Sequence, residues 1–322
     1  MESNAKNNPT PNINDIPDAL FTRVEFHEEL SEEAGFSNYS YWRSTIRTFF
    51  KSTVVKVIVA LLIALVAYTV IYPMITDRDP YAVALSAREW NLPPSAEHPF
   101  GTAGGGRDIW ARVWFGTRTS LLVGVTAAFI AGIIGTLLGG VAGYFGGVTD
   151  AILGELINVF MMMPTFFLVL IVVALFGSGL FNVMVVMGLT SWVGNAKLMR
   201  AQAMSLRQRT FVRSAEAIGE SRLSILFRHV VPNGIFPIIA NTTMGIASAI
   251  LTESSLAFLG LGDPNVISWG QVIQSGKSYL TNGWWICLFG GLAIIYTVVT
   301  FYLVGDGLNR VLSPKLRNLG KE

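Results

Sequence analysis

Charge is what this sequence has least of. Lysine, arginine, aspartate and glutamate make up 14% of its 322 residues, where a soluble domain carries roughly a quarter. That scarcity excludes an ordinary soluble fold. With hydrophobic residues at 52% and a mean hydropathy of +0.50, it leaves an integral membrane protein. Cysteine occurs once, at Cys287, so no internal disulfide can form, and in apolar sequence it reads as a small inert hydrophobe. The three histidines, His27, His98 and His229, stand far apart, and no Cys/His spacing suits zinc, so no metal site is expected. Residues 1–52 contain no apolar run, which argues against a cleavable signal peptide there. The net charge of +2 gives no reason to expect a nucleic-acid partner, because the basic residues stand where membrane topology places them.

What is abundant is apolar sequence in runs of roughly 20 residues, the length that crosses a hydrocarbon core. Six are expected as transmembrane helices: 54–71, ending before Pro73; 120–144; 151–176; 180–196, interrupted by Asn195; a fifth from after Pro232 to 259; and 284–304. Basic residues crowd the start of the first run (Arg43, Arg47, Lys51, Lys56), the connection between the fourth and fifth (Lys197 to Arg228), and the end of the chain (Arg310, Lys315, Arg317, Lys321). Six crossings bring these clusters to one side, the cytoplasm, with both termini there. The loop after the first run carries Arg78, Arg88, Arg107, Arg112 and Arg118, balanced by acidic residues, and is kept outside. Residues 1–38 read as a polar, then acidic tail. Tyr39, Tyr41 and Trp42 beside Arg43 and Arg47 read as an anchor in contact with lipid. Gly132, Thr136 and Gly140 on one face, and Gly135, Gly139 and Gly143 on another, let helix backbones approach closely.

No engine for chemistry is visible. The run Thr102 to Asp108 is glycine-rich but lacks the Gly-Lys-Ser/Thr ending of a phosphate cradle, so it reads as an irregular loop and no cofactor is expected. Glu253 is the one acidic residue well inside a span. A carboxylate there must be paired or face water, which leaves a structural pairing and a pathway-lining role both open.

The basic connection is amphipathic. Phe211, Ala215 and Ile218 follow helical spacing and make one apolar stripe. Arg209, Arg213, Glu216 and Glu220 take other faces, with Arg213 three residues before Glu216, in ion-pair reach. Gly219 can end this helix in the left-handed conformation, Ser221 can cap a second over 222–229, and Pro232 suits the first turn of the next span. The expected product is a two-helix bracket rigidly joined to the fifth span.

The spacing Ala215, three residues, Gly219, then twelve residues to Pro232 resembles the cytoplasmic loop of ABC-importer permeases. The likeness extends to the oligopeptide/dipeptide (and nickel) branch and its second, C-type subunit. It is carried by His98-Pro99-Phe100-Gly101-Thr102, Gly106-Arg107-Asp108-Ile109-Trp110, Phe227-Arg228-His229, Pro232-Asn233, Ser255 to Gly262, Ser268-Trp269-Gly270 and Gly305-Asp306-Gly307-Leu308. The resemblance implies a type I ABC-importer permease fold in a bacterial or archaeal cell membrane. It implies a cytoplasmic tail over 1–52, a first helix over 53–72, an external loop over 73–118, a core permease domain over 119–307 and a tail over 308–322. It also implies that loop 197–232 holds a coupling helix with Phe211, Arg213, Ser214, Ala215, Glu216, Ile218, Gly219 and Glu220 at the contact. The implied partners are a second homologous permease subunit, two ATP-hydrolysing subunits, and an external substrate-binding lipoprotein or periplasmic protein. The chain itself would be no enzyme, and its cargo would be short peptides. Two positions depart from the pattern: Arg213 replaces a glutamate and Ala103 an aspartate. The competing readings are a nickel or other small-solute ABC permease, an autonomous ion-coupled carrier, and a membrane scaffold or sensor.

The topology makes a direct prediction. With Cys287 replaced by serine, a single cysteine introduced at Ser214 should react with a membrane-impermeant thiol reagent only in opened or inverted vesicles. Reaction in intact cells would place the basic connection outside.

Overall fold

The computed structural model describes Phe50 and residues 53–312. The expectations for the acidic tail, the Tyr39–Trp42 anchor, Arg43, Arg47, Lys51, Lys315, Arg317 and Lys321 lie outside the described residues. Among those residues, regular structure is helical, apart from one isolated antiparallel bridge between Thr102 and Asp108.

The first helix, α1, runs Thr53–Ile75 and passes through Pro73 instead of stopping before it. Proline fixes a helix-compatible φ, and the one hydrogen bond it removes lies in the last turn, where little is lost. The second, α2, is Ile109–Phe145, 37 residues and so about 55 Å long, beginning eleven residues before the expected 120. Asp108 sets that start: its carboxylate accepts from the Ala111 N–H at 3.0 Å, satisfying a donor that the first turn leaves free.

The expected third span is two helices, α3 (Gly147–Met162) and α4 (Thr165–Phe176), bent by 83°. Pro164 explains the break, since the residue before a proline is driven from the α region, and Met163 has φ −86° and ψ 125°. The fourth run is also divided, into α5 (Leu180–Thr190) and α6 (Val193–Arg207). The interruption falls at Ser191–Trp192, whereas Asn195 sits buried inside α6.

The bracket comes next as α7 (Thr210–Ala217) and α8 (Arg222–Ile225), then a widened turn over Leu226–Val230 and the short α9 (Val231–Gly234). Pro232 belongs to α9, and the chain bends by 61° before α10 (Phe236–Phe258), whose first turn holds Pro237. The join to the fifth span is therefore a bend, not a continuous rod. A short helix, α11 (Trp269–Gly276), precedes the last, α12 (Trp284–Leu312). Among the described residues, α1, α2 and α12 are long and apolar enough to cross a membrane, and five crossings result if each bent pair counts as one.

The long helix α2 is the axis of the bundle. Gly135, Gly139 and Gly143 lie on α6, where an added Cβ would collide with backbone at Trp192, Ala196 and Arg200. On the other glycine face Gly132 touches Thr242 of α10 while Gly140 meets Leu226, Val231 and Met199, and Gly124 meets Ile246 and Ile250 of α10. Small residues here let dispersion contacts and backbone packing hold helices that no hydrophobic effect drives together in lipid. At the Phe145 end a bidentate pair adds to the seam: Arg200 donates to both Asp150 oxygens at 2.5 and 2.7 Å, tying α6 to α3. At the Ile109 end Trp269 is fully buried, donating from Nε1 to the Val113 carbonyl at 2.9 Å and from its backbone N–H to Ser120 Oγ at 3.2 Å.

Gly139→Val should lower the thermal unfolding midpoint in detergent, by the equivalent of about 1–3 kcal/mol of overpacking. Gly291→Ala in α12, where a Cβ meets nothing within 4 Å, should leave the midpoint in place. Equal midpoints for both variants would contradict a close α2–α6 seam.

Candidate functional site

The bracket is held from beneath. Val212 and Ala215 are buried and pack with Tyr144 of α2, Met199 and Ala203 of α6, and Leu226 and Val230 of the following turn. The expected stripe of Phe211, Ala215 and Ile218 is thereby split. Ala215 faces in, while Phe211 is 44% and Ile218 84% exposed. The buried line runs through Val212, and Ile218 is already past the end of α7 as its C-cap, so helical phase no longer governs it. Leu223 on α8 is exposed as well. Three large apolar side chains therefore face outward within residues 211–223, the kind of surface that marks a protein contact.

The turn between α7 and α8 is closed by its own hydrogen bonds. Gly219 has φ +83°. Its N–H reaches the Glu216 carbonyl and the Glu220 N–H reaches that of Ala215, both at 3.1 Å, the pattern of a glycine-terminated helix. Ser221 Oγ accepts from the Ser224 N–H at 3.3 Å and caps α8. Glu220 fastens the turn to α8 and the widened turn beyond it, accepting from Ser224 Oγ at 2.5 Å and lying 2.9 Å from His229 Nε2. These two partners hold its carboxyl below the usual glutamate range, Ser224 first and His229 second. Arg213 and Glu216 form no ion pair within 4.0 Å. Glu216 accepts instead from the Tyr144 hydroxyl at 3.2 Å. Arg213 and Ser214 are exposed, and Arg213, Glu216, Arg207 and Asp150 line a cavity of about 500 Å³ between bracket and bundle.

A second cavity, about 530 Å³, lies among α2, the α3–α4 bend, the α5–α6 junction and α10. Asn241, Gly245, Ser248 and Thr252 present one face of α10 to it, and Lys197 borders it from α6. Asn241 Nδ2 donates to Asn195 Oδ1 across the wall at 2.8 Å. Polar groups at this depth persist where they line water or pair with each other. Sequence reasoning missed this wall, although its 4-3-4 spacing in an apolar helix was a usable signal.

Glu253 lies elsewhere. It is 5% exposed, receives the Ser254 hydroxyl at 3.4 Å and has Ser268, the cap of α11, beside it. It does not border the α10 cavity. The glycine-rich run is an ordered loop, pinned by the Thr102–Asp108 bridge and by the Trp285 Nε1 hydrogen bond to the Thr102 carbonyl at 3.2 Å. Besides capping α2, Asp108 pairs with Arg78 and lies 2.9 Å from His98 Nδ1. Ala103 is 1% exposed in the apolar cluster around Ile109 and Trp285, so the missing aspartate leaves hydrophobic core in its place. Among the described residues, no three His, Cys, Asp or Glu side chains are grouped to hold a metal ion.

The model of a family described as binding-protein-dependent transport system inner membrane component matches residues 135–318. The chain belongs to this family. It is 38% identical over 268 residues to a probable D,D-dipeptide transport system permease protein of Escherichia coli K12, an alignment covering 82% of this chain and 89% of that one. It is 35% identical over 306 residues to a dipeptide transport system permease protein of Bacillus subtilis, covering 94% and 95%. With an oligopeptide transport system permease protein of Haemophilus influenzae it shares 33% over 303 residues, covering 91% and 96%. The region shared with the family contains the α6 seam, the bracket and the polar wall of α10. As a family member with long apolar helices, the protein resides in the membrane.

In this permease the depressed Glu220 carboxyl gives the bracket a pH dependence of known sign. A lowered folded-state pKa contributes stability above the unfolded value, ordinarily 4.5, and loses it as pH falls through the folded value. Protection of the Ser221–His229 amides from hydrogen exchange should therefore fall on acidification below 4.5. Glu220→Gln should flatten that dependence, and an unchanged profile in the variant would contradict the assignment.

Proposed function

We propose that this chain is a transmembrane permease subunit of an ATP-driven importer of short peptides. It forms half of the translocation pathway beside a second homologous permease, and two ATPase subunits engage its bracket. An external substrate-binding protein delivers cargo. The observation that carries the reading is the pairing of a capped, internally braced bracket exposing Phe211, Ile218 and Leu223 with a cavity, walled on its α10 side by polar residues, on the helices that the bracket rests on. The relatives, named as dipeptide and oligopeptide transport permeases, support peptides as cargo.

In this reading the chain crosses the membrane six times with both termini in the cytoplasm, α5 and the start of α6 making the fourth crossing. Loop 197–232 lies at the inner surface. ATP binding draws the ATPase pair together, and each bracket moves with its docking surface. Because Val212 and Ala215 share a core with Tyr144, Met199 and Ile238, bracket displacement reaches α2, α6 and the base of α10 together. The cavity between those helices then changes the side to which it opens. The permease is the bistable element, and the differential free energy comes from nucleotide contacts on the partner. No catalytic residue is required of this chain. Ser248 and Thr252 face the cargo, while Glu253 holds α10 against the capped start of α11.

Ile218→Asp and Phe211→Asp should each reduce ATPase-subunit recovery in pull-downs about tenfold, the effect of roughly 1.4 kcal/mol, with membrane insertion unchanged. Ser248→Leu should leave that recovery intact and reduce ATP-dependent peptide uptake. Full recovery with both aspartate variants would remove the bracket from the contact.

A further inference from the structure

The start of α2 carries a charge without a counter-ion. Arg112 is 7% exposed and its Nε is buried with no acceptor. Among the described residues no carboxylate lies within 4.0 Å of it. Its ionisable neighbours are Arg107, another cation, and Tyr81. Asp108 cannot serve, because one of its oxygens caps Ala111 and the other is taken by Arg78 and His98. A guanidinium does not shed its proton, and a buried charge left unpaired costs several kcal/mol. The site is thus built for an anion that binds it.

The space for that anion is present. Arg107 and Arg112 border a cavity of about 310 Å³, with Tyr81, Gln271, Gln274 and Ser275 completing its polar wall. This is the lower end of the range for small-molecule sites, which combine a concave shape with a few convergent polar groups. A guanidinium fork matches a carboxylate in bidentate fashion. The two carboxamides suit an amide: Gln271 already donates its Nε2 to the Asp263 carbonyl, leaving its oxygen to accept. Ala257 borders this cavity from the side of α10 opposite the Asn241–Thr252 wall, so the pocket is separate from the pathway cavity.

We propose that the Arg107–Arg112 pocket binds the free C-terminal carboxylate of a short peptide, with Gln271 and Gln274 meeting the adjoining amide. This rests on the peptide-import reading and adds a second, carboxylate-reading site to it.

The test is binding of Ala-Ala and of Ala-Ala amide to the assembled transporter in nanodiscs of zwitterionic lipid. The free acid should bind at least tenfold more tightly than the amide. Arg112→Gln should equalise the two, and Arg107→Gln should narrow the gap. Without peptide, Arg112→Met should melt at the same temperature as the parent or higher, since it removes an uncompensated charge, and Ala-Ala should raise the midpoint of the parent alone. Equal affinity for acid and amide in the parent would overturn the proposal, as would a preference that survives in both glutamine variants. Competition by phosphatidylglycerol that abolishes Ala-Ala binding would assign the pocket to a lipid headgroup and also overturn it. ATP-driven Ala-Ala uptake measured in parallel separates the two readings. Uptake without an arginine-dependent acid preference overturns this site alone, and no uptake of any short peptide overturns the import reading beneath it.

Discussion

The close approach of α2 and α6 is the constraint on which the rest of the molecule depends. Gly135, Gly139 and Gly143 bring α2 against the α6 backbone with no room for a Cβ, in an environment where packing, not water exclusion, must hold helices together. That seam fixes both ends of the functional unit. Toward Phe145 it carries Met199 and Ala203 into the core beneath the bracket. Midway it sets Asn195 and Lys197 on the border of the cavity beside α10.

The braced bracket and the breaks in the helices lie in different parts of the molecule. The bracket is stiffened locally by the Gly219 turn, the Ser221 cap and Glu220. It is braced below by Val212 and Ala215. The bends lie elsewhere, at Pro164 between α3 and α4 and ahead of Pro237 at the start of α10. In the proposed import cycle, a displacement applied to Ile218 and Phe211 would pass inward through these packed side chains, and the breaks in the helical ladder are where it would be taken up.

The parts of this architecture that were legible in the sequence are those set by local chemistry. The apolar runs declared the membrane class, and Gly219 and Ser221 declared the bracket turn, because a left-handed cap and a hydroxyl N-cap act within a few residues. Tertiary features were less legible. Hydropathy alone ran α3 and α4 together, although Pro164 stood in plain view, and it cannot register a break at Ser191–Trp192. Phe211, Ala215 and Ile218 read as one stripe because periodicity groups apolar residues without saying which of them the fold covers. The α10 wall was passed over because isolated Asn, Gly, Ser and Thr residues barely lower the hydropathy of a long helix. Arg112 was counted among loop charges balanced by acids, yet folding places it inside α2 while Asp108 is engaged elsewhere.

The central claim is that the bracket and the cavity wall of α6 move as one body. Spin labels at Ser214 and Lys197, both exposed, report it directly in the assembled transporter. The distance between them should stay fixed on ATP binding, while a third label at Ser248, exposed on the α10 wall of the cavity, exchanges its solvent accessibility between the two sides of the membrane. A Ser214–Lys197 distance that changes with nucleotide, while accessibility at Ser248 does not, would contradict the claim.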